Sequence, residues 1–272
     1  MNKNISFQSS RLLMSLLEQE KSFFTLEDAM NILESNDNIT VRKLVSDMVE
    51  RGLILRIKNG LYHPIPFEQK PEKYFPNWHL TAEALAQKKE YYIGFYSALD
   101  IHGLITQPSI VEQIVTLEHI KPKIQQVRNV RFEFITFSND RFFGYKKHWI
   151  DDFSQVYCSD LEKTFLDCLH IPKYAGGIIE ITKALYKGRN RINSDKLLEY
   201  LDKYDTQSVY KRLGFIVDQL ELSPEILNFI AKKITSSFVS LDPTLLKKGK
   251  YYSKWKIVDN IDFKDAINAI RT

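Results

Sequence analysis

An α+β fold in two domains is predicted by three observations. The chain has 272 residues, nearly twice the roughly 150 residues of a typical domain. The stretch HPIPFEQKPEKYFPNWH between Tyr62 and Leu80 carries Pro64, Pro66, Pro71 and Pro76, each of which removes a backbone donor and biases its predecessor toward extended conformations. Helical periodicity dominates before that stretch, whereas helical and alternating patterns mix after it. The expected organisation is a small helical and hairpin domain over residues 1–66, a proline-rich linker over 67–80 and a larger mixed α+β domain over 81–272.

Hydrophobic residues make up 44% of the chain and charged residues 26%. These values lie near the globular averages of about 45–50% and about 25%, which excludes collagenous, low-complexity and wholly disordered chains. The 38 basic and 34 acidic side chains leave a net charge of +4, too small to name a polyanionic partner unless the excess is local. No segment approaches the roughly 20 apolar residues of a membrane span, and MNKNISFQSSRLL lacks a signal-peptide core, so a cytoplasmic protein without a membrane partner is expected. Cys158 and Cys168 are expected as reduced thiols.

In the first domain, Leu12, Leu13, Leu16 and Leu17 recur at helical spacing, predicting a helix over about residues 8–19. Thr25 and Asp28 form a start signal for a second short helix carrying Leu26, Ala29, Met30 and Leu33. After the turn Asn36-Asp37-Asn38, residues Val41, Leu44, Val45 and Met48 define a third amphipathic helix that Gly52 terminates. Three helices are thus expected before any strand. Leu53 to Ile57 then alternate, and Asn59-Gly60 is a two-residue hairpin turn that places Lys58 opposite Leu61.

Helix, helix, helix, hairpin is the order of a winged helix-turn-helix, whose third helix enters a DNA major groove of about 12 Å width. Charge agrees with this order. Residues 39–63 hold Arg42, Lys43, Arg51, Arg56 and Lys58 against Asp47 and Glu50, whereas acidic residues outnumber basic ones before them. Thr40, Arg42, Lys43 and Ser46 are the groove candidates, and Arg56 and Lys58 on the hairpin are candidate phosphate contacts. The bland alternative is a solvated helix face beside an ordinary hairpin.

The larger domain begins with helices near Thr81–Glu90 and Phe95–His102, followed by the strand candidates VEQIVTLE, VRFEFITF and FSQVYC. Ser159 and Glu162 fit a capping box for the next helix, on which Lys163 and Asp167 are one turn apart. The Gly176-Gly177 pair precedes a helix whose first amides can hold an anion. It lacks the Lys-Ser/Thr of a P-loop and the third glycine of a dinucleotide fingerprint, and reads as an ordinary turn. Cys158, Cys168 and His170 have no zinc spacing, and His102 fits a helix C-terminus. No catalytic residue, metal or cofactor is assigned. Near the end, KKGKYYSKWK places Lys247, Lys248, Lys250, Lys254 and Lys256 among Tyr251, Tyr252 and Trp255. That segment reads equally as a nucleic-acid-tracking surface or as a solvated loop with packed aromatics.

The segments YYIGFYSALDIHGLITQ, FFGYKK, CSDLEKTFLDCLHIPKYAGG and KRLGFIVDQL, with the RIKNGLYHP hairpin, resemble the AbiEi antitoxins of bacterial type IV toxin-antitoxin, or abortive infection, systems. The likeness runs through nearly the whole chain. It implies an N-terminal DNA-binding domain that represses its own operon at an operator with inverted repeats. It also implies a C-terminal domain that opposes a cognate AbiEii-type nucleotidyltransferase toxin by functional antagonism, without supplying an interface. The five lysines 247, 248, 250, 254 and 256 are the candidate toxin-antagonism patch. Two other readings stay open: a solitary winged-helix transcription regulator whose large domain senses a ligand, and an enzyme that removes the toxin's modification. No arranged nucleophile, metal site or acid–base pair supports the enzyme.

Overall fold

The computed structural model describes residues 5–105, 107, 109–263 and 267. It is a mixed α+β protein with two compact units, residues 1–88 with 127–129, and residues 89–126 with 130–272. Among the described residues no helix is long and apolar enough to cross a membrane.

The first unit contains α1 (Phe7–Glu18), β1 (Phe24–Thr25), α2 (Leu26–Leu33), α3 (Asn38–Glu50), β2 (Ile54–Lys58), β3 (Leu61–Pro64) and α4 (Trp78–Ala86). Each helix start has a side-chain reason. Ser6 caps α1, Thr25 and Asp28 form the reciprocal box of α2, and Asp37 accepts from the amides of Ile39 and Thr40 at the head of α3. Helix α3 ends where Gly52 adopts φ +68°, with Leu53 N–H donating to Met48 O at 2.9 Å, the Schellman arrangement that a left-handed glycine permits.

Two details depart from the sequence expectation. Leu12 and Leu16 are buried, but Leu17 is exposed, because successive residues on a helix stand about 100° apart and one stripe cannot hold both. A strand also precedes α2: Phe24 pairs with Tyr62 and Thr25 with Leu61, making a three-stranded sheet of order β1-β3-β2. Two residues carry no alternation by which a strand is recognised. Phe24, Ala29, Leu33, Val41, Val45, Met48, Ile54 and Tyr62 join the α1 leucines in one core.

The proline stretch is packed. Ile65 is buried and its amide donates to Leu53 O at 2.9 Å. Tyr74 Oη meets His63 Nε2 at 2.8 Å, and the Pro71 ring lies against Gly52, where a Cβ would be 2.6 Å from Pro71 Cγ. The unit boundary consequently falls at residues 88 and 89, some 20 residues beyond the expected linker start. Proline removes donors, but its ring is an apolar surface, and here that surface is used.

The second unit is built on a six-stranded sheet of order β6-β7-β5-β4-β9-β8, from β4 (Tyr91–Ile93), β5 (Val111–Thr116), β6 (Ile124–Val127), β7 (Val130–Thr136), β8 (Tyr145–Trp149) and β9 (Gln155–Ser159). Strands β5 and β7 run parallel, whereas β4–β5 and β8–β9 are antiparallel. Short β4 and polar β6 and β8 lack the alternating apolar signal, and they are the strands the sequence reading leaves out. Helices α5 (Phe95–Ile101), α6 (Leu161–His170), α7 (Ile178–Gly188), α8 (Ser194–Tyr204), α9 (Gln207–Gln219) and α10 (Pro224–Ala231) follow, with a small sheet of β10 (Val239–Ser240), β11 (Lys250–Tyr252) and β12 (Ile257–Asp259).

Every residue of α6 from Leu161 to Leu169 is buried. Its cap is Asp160, which accepts from Lys163 N–H at 3.0 Å, and Ser159 is the last residue of β9, paired with Tyr145. Sheet pairing thus shifts the cap one residue beyond the sequence reading. Glu162 turns to Asn193 N–H at 2.9 Å and Lys196 Nζ at 3.1 Å instead.

Candidate nucleic-acid interface

Arg42 and Ser46 stand one turn apart on α3, and Lys43 precedes Ser46 by three residues, so the three share a face. Burial of Val41, Val45 and Met48 in the core turns that face outward. The β2–β3 hairpin lies beside it. A cleft of about 620 Å³ is lined by Arg42, Lys43 and Ser46 from α3, Arg56, Asn59, Gly60 and Tyr62 from the hairpin, and Leu26. Three cationic side chains converge there, and neither Asp47 nor Glu50 lines it. Arg42, Lys43 and Arg56 are exposed, so their guanidinium and ammonium groups keep their donors for a ligand.

Hairpin register decides which side chains reach this cleft. Lys58 pairs with Leu61 across the Asn59-Gly60 turn and Arg56 pairs with Tyr62, so Ile57 is an extra residue on its strand. This bulge re-aims the strand. Gly60 takes φ +78° with open space where a Cβ would stand, as the turn requires.

Four of the six sequence candidates, Arg42, Lys43, Ser46 and Arg56, come together in this cleft. The other two lie elsewhere. Thr40 is exposed on the first turn of α3, where its hydroxyl donates to Asp37 Oδ2 at 2.5 Å. Lys58 Nζ donates to Leu85 O at 3.3 Å, near the C-terminus of α4, and burial lowers its pKa. A helix C-terminus leaves carbonyls without partners and attracts cations, which accounts for the turn of Lys58 toward α4. Asn59 and Tyr62 were missed as site residues. Asn59 announced only its turn conformation, and Tyr62 only its apolar ring.

The C-terminal lysines do not form one free patch. Lys254 pairs with Asp218 at 2.7 Å and Lys247 donates to Phe238 O at 2.7 Å. Lys256 Nζ lies over the Phe238 ring and Lys250 Nζ over Tyr252, while Lys248 is exposed. Trp255 is 2% exposed and donates from Nε1 to Asp218 Oδ2 at 2.8 Å. It packs so closely on Gly214 that a Cβ there would be 2.5 Å from the ring. Tyr252 packs on Phe215, and Tyr251 stays exposed. Trp255 and Tyr252 thus serve packing rather than base stacking.

Cys158 and Cys168 are buried free thiols. His102 ends α5, with Nε2 2.8 Å from Ser159 O. No group of three or more His, Cys, Asp or Glu suited to a metal occurs among the described residues.

The chain is similar in fold to the crystal structure of RV2827C protein from Mycobacterium tuberculosis, with a TM-score of 0.75 at 12% identity over 99% of this chain and 96% of that one. Neither a protein-family model nor a curated protein matches it.

Proposed function

We propose that the first unit is a winged helix-turn-helix that binds DNA through α3 and the β2–β3 hairpin, and that the protein is an operon repressor and antitoxin of the AbiEi type. The observation that carries the DNA reading is the convergence of Arg42, Lys43, Ser46 and Arg56 on one exposed cleft. A helix of this kind fits a major groove, where Arg or Lys hydrogen-bonds guanine O6 and N7, while the hairpin meets phosphate. The antitoxin half rests on the sequence resemblance, whose motifs lie mostly in the second unit, and its target is a nucleotidyltransferase-type toxin.

An electrophoretic shift with the DNA upstream of the coding sequence tests the first half. Arg42→Ala or Lys43→Ala costs roughly 1–3 kcal/mol on the preferred sequence if that residue reads a base, whereas Arg56→Ala weakens all sequences and lowers the salt slope by about one counterion. Equal affinity for scrambled DNA refutes sequence-specific repression. Co-expression with the toxin tests the second half: the full chain carrying Arg42→Ala and Arg56→Ala still restores growth if antitoxicity belongs to the larger unit. Loss of rescue by that folded variant assigns antitoxicity to DNA binding.

A further inference from the structure

The segment YKKHW, from Tyr145 to Trp149, carries no apolar alternation, yet long-range pairing makes it β8, the last strand of the six-stranded sheet. Its neighbour is β9, with Tyr145 opposite Ser159, Lys147 opposite Tyr157 and Trp149 opposite Gln155. At the two ends of this pairing, Asp160 N–H donates to Gly144 O at 2.8 Å and Ile150 N–H to Ser154 O at 3.0 Å. Bonded pairs alternate along an antiparallel ladder, so Lys146 and His148 also turn their backbone groups toward β9. Tyr145, Lys147 and Trp149 turn theirs outward, and none of the three has a backbone partner there among the described residues. Their N–H and C=O groups form an open edge.

Side chains on this edge combine positive charge with exposed rings. Lys146 and Lys147 are exposed on opposite faces of the strand, and neither has a carboxylate partner among the described residues. Trp149 is 61% exposed, and Phe153 on the β8–β9 turn is 93% exposed. Tyr157 is exposed beside Lys147, whose Nζ lies 5.9 Å from the tyrosine ring centroid. Edge lysines commonly keep a strand from pairing with another chain. That role accounts for Lys146 and Lys147 but not for Trp149, whose exposed indole makes the same edge adhesive. A second copy fits poorly, because two-fold pairing centred on Lys147 sets like charges opposite each other. Nucleic acid would stack on Trp149 and Tyr157, but it leaves the open backbone groups unmatched and meets Asp151 and Asp152 just past Trp149.

We propose that β8 receives an extended acidic peptide of a partner protein as an added antiparallel strand. Backbone bonds to Tyr145, Lys147 and Trp149 hold an extended chain, and the side chains along the edge select it. Carboxylates opposite Lys146 and Lys147 and an apolar residue opposite Trp149 match the edge, whereas Asp151 and Asp152 repel acid placed further along. The recognised sequence is therefore a short acidic run bounded by apolar residues. This surface is separate from the DNA reading and is tested without DNA.

The probe is a fluorescein-labelled peptide with the core Val-Glu-Glu-Glu-Val, whose symmetry matches the edge in either chain direction, titrated with the full chain and followed by anisotropy. Saturable binding is expected, weakened roughly tenfold by Lys146→Glu with Lys147→Glu and severalfold by Trp149→Ser, and unchanged by Lys248→Gln, which lies outside the edge. Two further peptides test the backbone bonds with the wild-type chain alone. N-methyl groups on both Val and the central Glu block the amides that face β8 and abolish binding, whereas N-methyl groups on the two outer Glu leave it. Absence of saturable binding, equal binding of the two methylated peptides, or wild-type affinity in the charge-reversed variant overturns the proposal. Displacement of the peptide by single-stranded oligothymidylate also overturns it and gives the surface to nucleic acid.

Discussion

Lys163 and Asp167 lie one turn apart on α6 with no solvent exposure and form an ion pair. Tyr92 Oη donates to Asp167 Oδ2 at 2.9 Å and Tyr204 Oη to Oδ1 at 3.1 Å, while the rings of Tyr92, Phe137, Phe143 and Tyr204 surround the ammonium. Burial pushes the Lys163 pKa down and that of Asp167 up, and the pairing opposes both shifts. Removing one partner strands a buried charge. Lys163→Met should lower the unfolding free energy by about 3–5 kcal/mol, and Lys163→Met with Asp167→Leu should recover much of it, as urea unfolding at pH 7 would show. Histidines add a pH dependence. Burial pushes His63 and His170 from 6.5 to about 4, so each is neutral when folded and takes up a proton more readily when unfolded. Their contribution is therefore complete above about pH 6.5 and is lost as pH falls toward 4. Urea midpoints should decline through that window, with a shallower slope in His63→Phe. An unchanged slope in that variant would remove His63 from the account.

Helix ends and turns explain how the elements place their residues. Gly52 ends α3 in the left-handed region and leaves room for Pro71. Gly52→Ala meets both backbone strain and the proline ring, and should cost about 1–3 kcal/mol in thermal or chemical unfolding. If it proves neutral, the contact with Pro71 is too loose to matter. The β2 bulge separates two lysine and arginine roles that a regular strand would have merged. Arg56 reaches the cleft and Lys58 reaches Leu85 O. Lys58→Ala should accordingly leave the salt dependence of the proposed DNA binding unchanged and reduce stability by about 1 kcal/mol. A drop of one counterion in the slope would instead place Lys58 on phosphate. Caps were legible where the whole signal is local, as in the reciprocal box of Thr25 and Asp28. At Asp160 the boundary was set by the strand before it, which the periodicity of α6 does not encode.

For the whole molecule, packing of the proline segment has a direct consequence: limited proteolysis should spare residues 64–80, because Ile65, Pro71 and Tyr74 are engaged with the rest of their unit. Rapid cutting there would mean that these contacts are too weak to protect the segment. The α+β class, the three N-terminal helices, the Asn59-Gly60 hairpin and the basic face of α3 were legible in the sequence, because each depends on neighbours within about one helical turn or one strand pair. The same local signals misjudged position wherever distant chain intervened. Lys58 looked like a surface cation and Lys247 to Lys256 like one open patch, yet Leu85 O holds Lys58, and Asp218 and Phe238 take up part of the charge of the later lysines. The sequence by itself determined which segments become helix or hairpin and which face of α3 is cationic, since periodicity, caps and turn chemistry are short-range. Only the tertiary structure decided that Arg42 shares a cleft with Arg56, that Lys163 and Asp167 share a core with Tyr92 and Tyr204, and that Gln113 of β5 bonds Ser97 of α5. Those meetings follow from strand register and burial, which are set by long-range packing.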